Sequence, residues 1–154
     1  AKRQLLAQSD VGAVVMHSNR QAAPKDSLKT DALAFFKERL QTLQASGVDL
    51  ERVCLDAGVG FSYQSNPQEN MQRMGITRSL VNLQHPVMVA ISRKKYLKTL
   101  FGYEDTNSEI PSTFLARLMI DDGARVIRTH DVASVQRMLA MTRAYQESRE
   151  SHES

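Results

Sequence analysis

The chain has 154 residues, 42% of them hydrophobic, which is long enough for one domain with a core and too short for two comfortable ones. Its 20 Lys and Arg against 17 Asp and Glu leave a formal charge of +3, and the longest basic run, Arg93-Lys94-Lys95, is too short for a nucleic-acid arm. A lone cysteine, Cys54, excludes an internal disulfide and fits a reducing cytoplasm, and no apolar stretch approaches the roughly 18 residues of a membrane-spanning helix.

The opening residues, Ala1 to Gln8, lack the apolar block of a secretory signal and read as the last turns of an amphipathic helix without an N-cap. Four short apolar runs follow: Ala13-Val14-Val15-Met16, Val53-Cys54-Leu55, Val87-Met88-Val89-Ala90-Ile91 and Val126-Ile127. They start about 34 to 40 residues apart, the span of one strand plus one helix. Their β-branched content without polar alternation predicts strands buried on both faces, as in a parallel sheet.

Between the runs the spacing turns helical. Leu33, Phe36, Leu40 and Leu43 predict a helix over Asp31 to Gln44, stopping near Gly47. A weaker pattern covers Met71 to Leu83 across Gly75. Another spans Ser112 to Asp121 through Phe114, Leu115, Leu118 and Met119. A last helix is expected from Val132 to about Glu147, capped by Asp131, with Val135, Met138, Leu139 and Thr142 facing inward. The polar tail, 147–154, is expected to fray. No low-complexity linker divides the chain, so 1–154 reads as one structural unit. Length alone favours a small doubly wound sheet over half of a (β/α)8 barrel; the polar residues argue for the half-barrel.

Each apolar run turns abruptly polar at its end. The first passes into Met16-His17-Ser18-Asn19-Arg20, the second into Asp56-Ala57-Gly58-Val59-Gly60-Phe61, the third into Ser92-Arg93-Lys94-Lys95 and the fourth into Arg128-Thr129-His130-Asp131. In parallel α/β proteins chemistry gathers at the carboxyl ends of strands, where loops converge and helix N-termini point at a ligand. Lys94, Arg128 and His130 suit a phosphate or pyrophosphate, and Asp56 can accept two parallel hydrogen bonds from a heterocycle. Taken singly, each has a plainer reading: Asp56 as a turn residue, Lys94 and Arg128 as solvated charges, His130 as part of a cap, His17 as a packed ring, Phe61 as core and Cys54 as an inert buried thiol. Their coincidence at four strand ends favours a site.

These segments resemble dihydropteroate synthases. Leu55 to Phe61 resembles the family's Leu-Asp-Pro-Gly-x-Gly-Phe; Ile91-Ser92-Arg93-Lys94 with Tyr96-Leu97 resembles its Ser-Arg-Lys motif; Ile127 to Val132 resembles its closing Ile-Arg-Val-His-Asp-Val; and Val15-Met16-His17 resembles its Leu-Met-His. Order and spacing agree from about residue 5 to residue 145. The resemblance implies a (β/α)8 TIM barrel of which this chain supplies strands five to eight, and an activity joining 6-hydroxymethyl-7,8-dihydropterin pyrophosphate to p-aminobenzoate with loss of pyrophosphate. It further implies that Asp56 binds the pterin, with Met16 packed on the ring and Lys94 reaching it. Gly60 and Phe61 would border the p-aminobenzoate pocket, which is also the sulfonamide site, with Ser92 and Arg93 near it. Arg128 and His130 would hold the departing pyrophosphate, making Lys94, Arg128 and His130 the catalytic set. Mg2+ would ride on the pyrophosphate, no side chain here is assigned as a metal ligand, and the full protein would be a homodimer.

The sequence departs from that pattern at Ala57, where the family has Pro, at Ser62-Tyr63, where it has Gly-Lys, and at Pro111-Ser112-Thr113-Phe114. The family's N-terminal motifs, including Asn-x-Thr-Pro-Asp-Ser-Phe, do not occur in 1–154. The leading expectation is therefore a piece of a longer synthase, inactive alone. The alternative is a non-catalytic half-barrel that binds pterin or a partner. A methyltransferase of the same barrel type ranks below both, because methyl transfer has no pyrophosphate to bind.

Overall fold

The computed structural model describes residues 2–102 and 109–150. A short helix α1 (Lys2–Ala7) leads into four parallel strands, β1 (Ala13–Met16), β2 (Val53–Asp56), β3 (Val87–Val89) and β4 (Val126–Ile127). The crossovers carry α2 (Leu28–Ala45), then α3 (Pro67–Gly75) with α4 (Thr77–Val81), then α5 (Lys95–Phe101) with α6 (Ile110–Asp121). Helix α7 (Val132–Glu150) closes the described chain.

The strands lie in sequential order, β1-β2-β3-β4, all parallel. A doubly wound sheet reverses its strand order at a switch point. Here the order never reverses, so right-handed crossovers stack every helix on the same face. That is how half of a (β/α)8 barrel is built, and it decides against the doubly wound alternative.

The two faces of the sheet differ accordingly. Val53, Leu55, Val87 and Val89 are buried against Phe36, Leu40, Leu80 and Met119 of the helices. On the other face, alternation and register align Met16, Asp56, Met88 and Val126 in one row, with Val14 and Cys54 in the next. That face is open: Val14 is 52% exposed and Val126 39%. The strands are therefore not buried on both faces as their composition predicts. Cys54, expected to be a buried thiol, is only half-buried, and burial followed by the nearby Asp56 charge raises its pKa.

Local chemistry sets the helix ends. Ser27 caps α2 by accepting from Thr30 N at 3.1 Å, so α2 starts before the apolar pattern does. Asp131 caps α7 as expected, accepting from Ser134 N at 2.9 Å. Helix α7 runs on to Glu150, past its expected end; residues 151–154 of the expected tail lie outside the described residues. Val135 points inward as expected, but Leu139 is 40% exposed, a correction to the inward stripe. The weak pattern over 71–83 resolves into α3 and α4, and α5 is a seven-residue helix too short to show periodicity in the sequence.

Candidate functional site at the carboxyl ends of the strands

Asp56 ends β2 and is almost fully buried. One oxygen accepts from Gly58 N at 2.8 Å; among the described residues nothing donates to the other and no cation forms an ion pair with it. Burial pushes its carboxyl up, against the pull of the Gly58 N–H and of Lys94, Arg73 and Arg128. Burial likewise lowers the Lys94 ammonium, opposed by Asp56 and reinforced by Arg128 and Arg20. Asp56, Lys94 and Arg128 thus share one electrostatic environment, although they come from three strand ends.

The loop after β2 is shaped by its glycines. Gly58 adopts φ +72°, and a Cβ there would lie 1.7 Å from the His17 carbonyl oxygen, so only glycine fits. Gly60, at φ +87°, lies under Lys94, whose Cδ and Nζ would sit 3.0 and 3.1 Å from an added Cβ. The next residue, Phe61, has Lys94 Nζ 4.9 Å and Arg20 Cζ 4.1 Å from its ring centroid, while Arg20 donates to Gly60 O at 3.3 Å. Met16, Arg20 and Phe61 line an open cleft of about 930 Å³ against α2. A second cleft of about 450 Å³ lies between Gly60 and the start of α5, lined by Arg20, Arg93, Lys94 and Tyr96.

After β3, Arg93 takes φ +56°, an uncommon conformation for a residue other than glycine. Its Nε donates to Glu109 at 2.7 Å. Ser92 is buried and reaches both Glu109 (2.9 Å) and His130 Nδ1 (2.8 Å). Arg128 and His130 are exposed at the end of β4. The structure therefore gathers Asp56, Gly60, Phe61, Lys94 and Arg128 in one environment, with Met16 beside Asp56 in the sheet. Ser92, Arg93 and His130 form an adjoining cluster around Glu109.

Several organising residues were not legible in the sequence. Arg73 on α3 is wholly buried. Its Nη1 donates to Ala57 O at 2.7 Å, His17 Nδ1 at 3.0 Å and His17 O at 3.4 Å; its Nη2 donates to Glu69 at 3.1 Å and to Asn19 Oδ1. It thereby ties the loop after β1 to the loop after β2. Asn70, one turn back on the same face of α3, accepts from Gly60 N at 2.6 Å and donates to Ser62 Oγ and Asn66 O. His17 is a packed ring, edge-on to Phe35 at 5.2 Å. Burial, then Arg73, lowers its pKa to about 4. The polarity of this buried α3 face is why the apolar pattern there is weak.

A model of pterin binding enzymes matches residues 1–130. The chain belongs to the pterin-binding enzyme family. Family relatives include dihydropteroate synthase type-3 of Escherichia coli, 37% identical over a 150-position alignment that covers 90% of this chain and 56% of that one. The type-2 enzyme of Escherichia coli is 29% identical, covering 93% and 55%. Among solved structures, the Xanthomonas albilineans dihydropteroate synthase in complex with 7,8-dihydropteroate aligns at a TM-score of 0.84 and 28% identity, over 94% of this chain and 54% of that one. The Stenotrophomonas maltophilia enzyme shares the fold at a TM-score of 0.83. The chain spans about half the length of the relatives it matches.

Proposed function

We propose that residues 1–154 form the C-terminal half, strands five to eight, of a dihydropteroate synthase in folate biosynthesis. The observation that carries this reading is the buried Asp56 with one carboxylate oxygen to which no described residue donates, in the same field as Lys94 and Arg128. A carboxylate so placed accepts paired N–H groups of a pterin ring. Met16 neighbours Asp56 in the sheet and offers the ring an apolar, polarisable surface.

The reaction forms a C–N bond between the arylamine of p-aminobenzoate and the pterin methylene carbon as the C–O bond to pyrophosphate breaks. Charge develops on the leaving oxygen, and Arg128 and His130 supply fixed cationic or N–H donors to it. Lys94, held over Phe61 and above Gly60, joins the pterin end of the site to the loop proposed to border p-aminobenzoate. Ser92 and Arg93 stand at the arylamine end. Mg2+, bound through the pyrophosphate, would neutralise part of its charge. Lys94, Arg128 and His130 are the side chains proposed to contact the phosphate oxygens.

Two further features of the reading concern the surroundings. An exposed apolar stripe on α6 (Ile110, Phe114 and Leu118) supports a homodimer through that helix. The lone Cys54, and described helices none of which is long and apolar enough to cross a membrane, fit a cytoplasmic protein.

The test is a coupled assay in which 1–154, alone and as part of the longest open frame encoding it, receives the pterin pyrophosphate and p-aminobenzoate. Dihydropteroate and pyrophosphate released in equal amounts by the longer protein support the synthase. Pterin binding without turnover in either form favours the non-catalytic half-barrel. Absence of pterin binding in both overturns the proposal.

A further inference from the structure

Glu109, just before α6, has a buried carboxylate that receives three side chains: Arg93 Nε at 2.7 Å, Ser112 Oγ at 2.8 Å and Ser92 Oγ at 2.9 Å. Burial works against its charge, but the hydrogen bonds from Arg93, Ser112 and Ser92 and the Arg93 charge hold its pKa below the usual carboxylate range. An ionised carboxylate only accepts, so the single hydroxyl hydrogen of Ser92 goes to Glu109. The lone pairs left on Ser92 Oγ face two groups of one residue, the His130 backbone N–H at 3.2 Å and His130 Nδ1 at 2.8 Å. Ser92 Oγ and His130 Nδ1, 2.8 Å apart, need a hydrogen between them, and that of Ser92 is already spent on Glu109, so Nδ1 carries it.

We infer that Glu109 is a positioning residue for His130, acting through Ser92 to fix the ring as its Nδ1–H tautomer with Nε2 kept for the anion. Among the described residues Nε2 makes no hydrogen bond. A proton gained by this ring goes to Nε2, which then donates to an anionic oxygen while Nδ1–H stays anchored to the Ser92–Glu109 pair. Carboxylates that orient an imidazole through its other nitrogen act in the same way at many sites. The value of this arrangement for pyrophosphate rests on the function proposed above.

The experiment uses the 154-residue chain labelled with 15N, read by proton–nitrogen correlation of the His130 ring at a pH where the ring is neutral. Wild type should show the Nδ1–H pattern. Ser92→Ala and Glu109→Ala should move the ring toward the Nε2–H form that free histidine prefers. An Nε2–H ring in wild type, or an Nδ1–H ring surviving in Ser92→Ala, overturns the inference. The serine variant removes only one small hydroxyl, so it decides the matter if Glu109→Ala does not fold. Calorimetry with inorganic pyrophosphate forms the second arm, where each variant should bind roughly tenfold more weakly, because its ring, though able to donate from Nε2 while neutral, is no longer anchored at Nδ1 in the orientation that meets the anion. A tautomer shift with no pyrophosphate binding by any of the three proteins supports the relay and overturns the pyrophosphate role. Unchanged affinity in Ser92→Ala, with wild type binding, overturns the relay's part in holding the anion.

Discussion

Replacing Arg73 by Met should destabilise the chain more than any substitution at the exposed cations of the site. The guanidinium is fully buried and its partner Glu69 is only 10% exposed, so removing the cation leaves a carboxylate nearly out of water without a counter-charge. Breaking one side of such a pair costs about 3–5 kcal/mol. The Ala57 and His17 carbonyls and Asn19 Oδ1 also lose their donor, each a group whose desolvation goes uncompensated at about 1–3 kcal/mol. These costs overlap because the loops relax together, so the net loss should be about 4 kcal/mol. For a chain of this size that lowers Tm by on the order of 10 °C. Urea unfolding followed by circular dichroism at pH 7 gives the number. A double-mutant cycle with Glu69→Gln should recover about 1–3 kcal/mol of it, because no charge is then left orphaned. A loss below about 1 kcal/mol would refute the view that Arg73 ties the two loops, and strict additivity with Glu69→Gln would refute the share assigned to the ion pair.

Stability should also depend on pH through His17. Its folded pKa of about 4 lies below the ordinary 6.5, so the unfolded chain binds more protons between those values. The contribution, on the order of 3 kcal/mol, is complete above pH 6.5 and lost as pH falls toward 4; equal pH slopes for wild type and His17→Asn would contradict it. Arg128→Ala should weaken pyrophosphorylated pterin by at least tenfold while leaving the bare pterin alcohol nearly unchanged. Equal losses for both ligands in calorimetry would remove the anion role from Arg128.

What the sequence revealed, and what it hid, divides along a physical line. The strands were legible because Val, Ile and Leu runs between turn residues have few other homes, and the abrupt polarity after each run marked Asp56, Lys94, Arg128 and His130. Asp131 was legible as a cap because capping is a local, single-residue chemistry. Arg73 and Glu109 were not, since each is a charged residue in a helical or pre-helical stretch, where charge ordinarily means solvent. Only the fold shows that α3 turns Arg73 onto the backs of two loops, and that Glu109 meets Ser92 across 17 residues of chain while Ser92 in turn meets His130 across 38. The openness of the sheet face was hidden for a related reason: an apolar run reports that a strand suits burial, and not which part of the protein covers it.

The most direct test of the account is calorimetric titration of 6-hydroxymethyl-7,8-dihydropterin pyrophosphate into wild type and into Asp56→Ala, with circular dichroism confirming that both are folded. Asp56 lends the ring the carboxylate oxygen that no described residue occupies, so wild type should bind and the variant should lose about 2–3 kcal/mol, roughly a hundredfold, as expected for a charged hydrogen-bond partner. Equal affinity in the two proteins would mean that the buried carboxylate at the end of β2 is not where this chain holds its pterin.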